Sequence, residues 1–458
     1  MKNMTLKNIA GCCHGRLIGG REELEIAGAV MDSRQIEKDF LFFAIKGERV
    51  DGHRFIPQAM KQGAACAVCE RVPEWEEKEA EGPYILVENV QKAMQDIAAF
   101  YRGTLSIPVI GITGSVGKTS TKEFIAAVLS QKYRVLKTRG NYNNELGVPL
   151  TLMRIREEHE VAVVEMGINH FGEMHRLSRM AAPDIVVMTN IGDCHLEALG
   201  SREGILRAKS EIFDFSKESG TVIINGDDDM LSGIREVHKK APVTFGKNKS
   251  NSCYVTDIHS KGLFGTEIRL HIPSGDFRTE IPLPGEHMVY NALAAAAVGE
   301  ALGLSTEEIR AGIAAVKPTA GRSNLLQCND RVILDDCYNA NPVSMCAALD
   351  LLARADTRKV AILGDMFELG EDAEKLHGEV GSYAAKLGID VIICVGELSK
   401  NMAREAEENG SGRSRVYYYP EKEVLLQELE GLTKPGDTVL VKASHGMDFG
   451  KIVEKLKG

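Results

Sequence analysis

The chain has no cysteine pattern of the kind that holds a structural metal. Its ten cysteines are scattered, and only the adjacent Cys12-Cys13 and the Cys66-Ala-Val-Cys69 pair lie close together. Sequence neighbours rarely bridge and the second pair has no partner pair at zinc-site spacing, so buried free thiols are expected, without structural zinc, flavin or haem. Nowhere is there an apolar run long enough to span a bilayer, and the N-terminus carries no apolar core followed by a small-residue cleavage site. The expectation is a cytoplasmic protein with no stable membrane insertion. An excess of positive charge is also missing: 55 Lys and Arg face 65 Asp and Glu, for a net charge of -10 and a pI near 5.7. That balance argues against a basic nucleic-acid surface and leaves nucleotides open as small ligands.

What is present is a well-packed α/β pattern. At 458 residues and 50.0 kDa, with 44% hydrophobic and 26% charged residues, the chain exceeds one ordinary core. Strand-like and helix-like segments alternate throughout, which predicts three α/β domains. Residues 1–104 form a small N-terminal unit, 105–317 a central unit with a phosphate loop, and 318–458 a Rossmann-like unit of repeated βαβ spacing. In the third unit strands are expected at Val332–Asp335, Lys359–Leu363, Val391–Val395 and Thr438–Val441. In the central unit, alternation from Ser252 to Ile281 predicts an antiparallel segment attached to a mainly parallel sheet.

The chemistry-bearing stretch is Ile107-Pro-Val-Ile-Gly-Ile-Thr-Gly-Ser-Val-Gly-Lys-Thr-Ser-Thr121. It reads as a buried strand, a tight loop and the first turn of a helix whose free N–H groups face an anion. Gly111, Gly114 and Gly117 would let the backbone approach phosphate oxygens. Thr113, Ser115, Val116 and Ser120 complete the cradle, Lys118 brings a point charge for the outer phosphates, and the Thr119 hydroxyl suits a nucleotide-bound magnesium. Ile112 stands where the common pattern has glycine, so the spacing is irregular. The strand Glu160–Glu165 ends in a carboxylate, which fits a metal ligand opposite the loop better than an unpaired core charge. His195 follows another strand end, in Asn190-Ile-Gly-Asp-Cys-His195.

Other polar residues gather at element ends, where ligands and local caps are both usual. Ser33, Arg34, Lys46 and His53 suit anion or sugar contacts, or surface caps. Asn143 and Asn144 lie in an amide-rich loop. His287 and Asn291 share a helical face, addressing a nucleotide or capping a loop. On its sequence context alone Lys209 is a solvated surface lysine. Strand-end clusters in the third unit, Asp335–Pro342, Gly364–Gly370 and Lys442–Met447, place a cleft between the domains.

Together Thr113–Ser120, Glu165-Met-Gly167, Asn190–His195, Lys209-Ser-Glu211 and Gly285–Asn291 resemble the cytoplasmic Mur ligases of peptidoglycan synthesis, whose framework folylpolyglutamate synthases share. Asp336-Cys-Tyr-Asn-Ala-Asn-Pro342 and Gly364-Asp-Met-Phe-Glu-Leu-Gly370 look like the branch that adds D-alanyl-D-alanine, and the Asp-Asn-Pro-Arg signature of the branch adding diaminopimelate or lysine is not found. The resemblance covers essentially the whole chain. It implies ATP and two magnesium ions as cofactors, with UDP-N-acetylmuramoyl-tripeptide and D-alanyl-D-alanine as substrates. Lys118, His195, Lys209 and Asp336 would then be the catalytic candidates: Lys118 on the outer phosphates, Thr119 and Glu165 at one metal, and His195 with a carbamylated Lys209 at the second. His287, Asn291, Arg322 and Asp336 would meet the nucleotide. Tyr338, Asn339, Asn341, Ser444 and His445 would meet the dipeptide, Asn143 and Asn144 the muramoyl end, and the Ser33–His53 group the uridine part. The base for the incoming amine is Asp336 or His195. Three domains can enclose such a site within a monomer. The competing expectations are another amide ligase of the same superfamily and a nucleotide-switched regulator or transport ATPase.

Overall fold

Continuous apolar runs of four to six residues, flanked by helices, belong in sheets covered on both faces, and the computed structural model builds three of them. It describes residues 1–47, 50–73, 82–328, 330–410 and 413–458. The first sheet orders its strands Arg16–Ile18, Tyr84–Leu86, Cys66–Cys69, Phe40–Phe43 and Gly28–Val30. Only Arg16–Ile18 runs antiparallel to its neighbour. Phe42, Phe43, Cys66 and Cys69 are buried in it, and all ten cysteines are free thiols.

The central sheet has nine strands. Val109–Thr113 lies between Val161–Glu165 and Ile185–Met188, paired in parallel with both. Beyond Val161–Glu165 the edge is Val135–Lys137, and beyond Ile185–Met188 come Thr221–Asn225 and Val243–Gly246. The chain therefore crosses from one side of Val109–Thr113 to the other after Val161–Glu165. At such a switch point a crevice opens at the carboxyl ends of the strands. The far edge is the expected antiparallel segment, Cys253–Ser260, Thr266–Ile272 and Gly275–Ile281.

Two helices set the depth of that crevice. Lys118–Leu129 starts on Gly117, whose φ of 82° is left-handed and free for glycine; no side chain caps the helix. Its first amides are left for another acceptor. Met288–Ala301 is buried on nearly every side, from Met288 and Val289 through the run Asn291–Gly299. With solvent reaching it only at Tyr290 and at its end, Glu300 and Ala301, it has no polar stripe, and its alanines allow close packing on the sheet and on Lys118–Leu129. A side chain on Gly299 would meet Ile309 at 2.9 Å and Val128 at 3.0 Å.

The third sheet orders Asn324–Cys328, Arg331–Asp335, Thr438–Lys442, Lys359–Gly364, Val391–Val395 and Arg415–Tyr419. The four expected strands form its middle, all parallel. The edge strands Asn324–Cys328 and Arg415–Tyr419, like the edge strand Arg16–Ile18 and the short interior strand Val243–Gly246 elsewhere, carry no clear signal because they are short or only partly buried. Asn324–Cys328 pairs antiparallel with Arg331–Asp335, so this sheet is mixed rather than purely parallel.

Candidate active site

The glycine-rich loop is tied to the neighbouring strand end. The Ser115 amide donates to the Asn190 carbonyl and the Val116 amide to Asn190 Oδ1, both at 2.9 Å. Asn190 Nδ2 and Thr189 Oγ1 donate back to the Val116 carbonyl at 3.0 and 2.7 Å. Ser115 Oγ donates to the Gly192 carbonyl at 3.0 Å. Gly114, with φ 149°, has no room for a side chain: a Cβ there would lie 2.0 Å from Thr189 Oγ1. Lys118 Nζ folds back to donate to the carbonyls of Gly114 at 2.8 Å and Ser115 at 3.3 Å. Burial holds this lysine below its usual pKa. Gly111 corrects the expected loop: it sits inside the strand, where a Cβ would press on Met166 and Pro183, so it serves packing and not anion approach. The Thr113 hydroxyl is buried with no partner among the described residues.

Glu165 ends its strand 1% exposed, facing the start of the helix. Thr119 Oγ1 lies 2.9 Å from Glu165 Oε2, and Asn143 Nδ2 donates to Oε1 at 2.8 Å. Lys122 was not singled out in the sequence, yet its buried Nζ stands 3.6 Å from Glu165 Oε2 and 3.3 Å from Glu123. The signal was available as one helical turn after Lys118. Lys209 corrects its own sequence context: it is fully buried, and its Nζ has no partner among the described residues. Burial first, then the charge of Lys118, bring its pKa down to about 8.

From the third domain, Asp336 accepts the Ser323 amide on Oδ1 at 2.8 Å and Lys442 Nζ on Oδ2 at 2.6 Å. Lys442, which opens the strand-end cluster Lys442–Met447 and was given no role of its own there, is 3% exposed and donates further to the Asn339 carbonyl at 3.0 Å. The Arg322 guanidinium lies 3.9 Å from the centre of the Tyr338 ring, and that ring contacts His445 at 5.1 Å. Asn291 Oδ1 accepts the Thr121 hydroxyl at 2.8 Å. Burial lowers the pKa of His287, against the pull of Asp336. His195 Nδ1 meets Glu368 Oε2 at 2.5 Å across the domain boundary.

Most of these groups face one cavity of about 690 Å³, but Thr113, Lys122, Lys209 and Glu368 are not among its lining residues. Ser115–Ser120, Asn143, Asn144, Glu165, His195, His287, Asn291, Arg322, Asp336, Tyr338, Asn339 and Asn341 line it. Two of them spend their side chains locally. Asn341 Oδ1 caps the helix Pro342–Ala353 through the Ser344 amide, and Asn144 Oδ1 takes the Leu146 and Gly147 amides. Ser444 and His445 stay outside; the Ser444 hydroxyl accepts the Phe367 amide. The N-terminal group is also apart from the cavity. Ser33 is buried, Arg34 pairs with Asp32, and the Lys46 backbone forms an isolated antiparallel β-bridge with that of Asp51. His53 Nδ1 bonds to Asp51 and its Nε2 accepts the Glu70 amide, so both ring nitrogens are engaged inside the N-terminal unit.

Three family descriptions match successive stretches of the chain. Residues 25–102 match the family described as Mur ligase family, catalytic domain; 112–299 match the Mur ligase middle domain; 321–445 match Mur ligase, glutamate ligase domain. The chain is 40% identical to UDP-N-acetylmuramoyl-tripeptide--D-alanyl-D-alanine ligase of Bacillus subtilis (strain 168), over 100% of this chain and 99% of that one. It is 36% identical to the Escherichia coli (strain K12) protein of the same name, again over 100% and 99%. A crystal structure of MurF from Acinetobacter baumannii shares 33% identity and a TM-score of 0.89, over 99% of this chain and 98% of that one. The MurF ligase of Thermotoga maritima in complex with ADP shares 30% identity and a TM-score of 0.80, over 94% and 97%. A folylpolyglutamate synthase of Mycobacterium tuberculosis, at 17% identity and a TM-score of 0.61, shares the fold alone.

Proposed function

The chain belongs to the Mur ligase family, and from that membership we infer an ATP-dependent ligase that joins D-alanyl-D-alanine to the peptide carboxylate of UDP-N-acetylmuramoyl-tripeptide. ADP and phosphate are released, in peptidoglycan precursor synthesis. The observation that carries this reading is one cavity holding the anion-ready loop, the Thr119–Glu165 pair and the polar strand ends of the third domain. A regulator that only senses a nucleotide has no use for a second, buried polar wall facing its phosphate loop.

The peptide carboxylate attacks the γ-phosphate to give an acyl phosphate, and the dipeptide amine displaces the phosphate from that carbonyl. Lys118 leaves the Gly114 and Ser115 carbonyls for the outer phosphates, while the free amides of the Lys118–Leu129 helix take phosphate oxygens. Thr119 and Glu165 suit a magnesium ion, being a hydroxyl and a nearly unexposed carboxylate within 2.9 Å of one another. Magnesium there would offset charge on the transferring phosphoryl group. Lys122 and Asn143 fix the Glu165 oxygens. Arg322 and Asp336 close the nucleotide end, with His287 and Asn291 beside the loop. Tyr338 and Asn339 face the dipeptide, and Asn143 and Asn144 the muramoyl end. Water held out of this cavity cannot hydrolyse the acyl phosphate.

Lys209 is the candidate for carbamylation. An amine whose pKa is lowered to about 8 holds a far larger neutral, nucleophilic fraction near neutral pH than an ordinary lysine, although most of it is still protonated there, and its Nζ has no competing partner among the described residues. Carbon dioxide would turn it into an anion able to support a second magnesium with His195. We assign residues 1–104 to the uridine end, through the Ser33–His53 segment, 105–317 to ATP and 318–458 to the dipeptide. The protein is read as a cytoplasmic monomer; among the described residues no helix is long and apolar enough to cross a membrane.

A turnover assay tests the whole reading. ADP release should require both the UDP-tripeptide and D-alanyl-D-alanine and should yield a pentapeptide product by mass; ATP hydrolysis indifferent to both would reject it. Lys118→Ala should lose acyl-phosphate formation while keeping its fold by circular dichroism. Lys209→Ala should lose turnover and regain part of it with added short carboxylic acids.

A further inference from the structure

The loop Gly364–Gly370 is not absorbed by the dipeptide site. Three ties hold it inside the third domain: the Met366 amide donates to His377 Nε2 at 2.8 Å, the Phe367 amide to Ser444 Oγ at 2.9 Å, and Asp365 Oδ1 accepts the Ser399 hydroxyl at 2.6 Å. From this pinned loop Glu368 reaches back to the central domain and meets His195 Nδ1 at 2.5 Å. Gly370 follows the same face, its Cβ direction 3.7 Å from the Glu197 Cα.

An exposed ion pair would ordinarily carry little meaning. Here both partners are non-glycine residues in left-handed backbone, His195 with φ 54° and Glu368 with φ 64°. Such conformations persist where surrounding structure imposes them and gather at functional sites. His195 is only 20% exposed and lines the cavity, whereas Glu368 is 52% exposed and lies outside its lining. A carboxylate only accepts, so Nδ1 carries the proton and Nε2 is left as the ring atom available to a ligand.

We propose that Glu368 is a positioning residue: delivered by the third domain, it holds the Nδ1 proton of His195 and so sets the tautomer and direction of a ring that faces the reaction cavity. Docking of the third domain and readiness of the central site become one event. A carboxylate behind a histidine is the usual device for orienting the other ring nitrogen toward a ligand. The inference deepens the ligase reading and rests on it for the turnover arm of its test alone.

The test uses the full chain with ¹⁵N-labelled histidine. The wild-type His195 ring should show the proton on Nδ1. Glu368→Ala should lose that signature and lower kcat about ten- to a hundredfold, with the KM for ATP little changed. Glu368→Gln, which retains an acceptor oxygen, should keep the tautomer and most of kcat. A wild-type ring protonated on Nε2, a Glu368→Ala ring unchanged from the wild type, or a Glu368→Ala variant turning over at the wild-type rate would overturn the proposal. Should Glu368→Ala fail to fold, Glu368→Asp decides: one methylene short, it should lose the Nδ1 signature, and retention would count against the role. If the wild-type chain makes no pentapeptide, the ligase reading fails while the ring measurement still decides this one.

Discussion

Replacing Lys209 by methionine should make the protein more stable and inactive. The side chain is fully buried, its Nζ has no partner among the described residues, and burial and Lys118 bring its pKa from 10.5 to about 8. The sign follows from proton counting. Between about pH 8 and 10.5 the unfolded chain holds more of this proton than the folded one, so stability rises with pH across that window, and below it the full cost of the buried cation is present. At about 1.4 kcal/mol per pH unit, the interval amounts to about 3 kcal/mol. Methionine keeps the length and removes the charge, so at pH 7 in bicarbonate-free buffer the variant should gain about 3 kcal/mol. For a domain of this size that is a rise of roughly 6–12 °C in the melting midpoint of the central domain. The gap should shrink toward zero as the pH approaches 10. Bicarbonate should raise the wild-type midpoint, because a modification confined to the folded state stabilises it, and leave the variant unmoved. Equal midpoints at pH 7, or a gap that widens between pH 8 and 10, would refute the claim that this lysine is held against its charge.

Gly114→Ala places a Cβ 2.0 Å from Thr189 Oγ1 in a left-handed backbone, so ATP affinity should drop by about 1–3 kcal/mol, read by calorimetric titration. Asp336→Asn leaves the buried Lys442 ammonium without its carboxylate and should cost about 3 kcal/mol of third-domain stability, part of which Lys442→Met should restore in the double variant. His53→Ala should loosen the N-terminal unit by roughly 1–3 kcal/mol in hydrogen exchange and leave ATP binding unchanged. Although burial works against its charge, the Asp51 carboxylate is held well below its usual range by the His53 amide, Arg71 and the His53 ring. A carboxyl lowered in the folded state contributes above its unfolded pKa, so this unit should lose protection as the pH falls below about 4.

Phosphate-loop residues were legible because a strand, a loop and a helix start are contiguous, so Gly114, Gly117, Lys118 and Thr119 announce their neighbours. Glu165 was legible for a related reason, since a carboxylate closing an apolar strand must meet something. Lys209 could not be read that way: its meaning lies in burial, which only the tertiary structure supplies. Asn144 and Asn341 show the opposite limit, because an amide that caps a helix and one that binds a ligand look alike in sequence. His53 stands at an element end, where a ligand contact and a local cap look alike in sequence, and only the fold shows its ring joining Asp51 to the Glu70 backbone. Lys122 carries no signal of its own in the sequence, and Lys442 and Glu368 stand only as members of the strand-end clusters Lys442–Met447 and Gly364–Gly370 with no individual role. Each gains its role from a partner more than forty residues away.

The lacing of Ser115 and Val116 to Thr189, Asn190 and Gly192 bears on how tightly a nucleotide can be held. A loop that is shaped during folding loses its freedom then and not at the moment of capture, so less of the phosphate contact energy is consumed in ordering it. Differences in affinity between nucleotides should accordingly appear in their escape rates, with arrival rates nearly common to all. Loosening any one of these stitches would make the loop an adaptable grip, slower to select and quicker to let go.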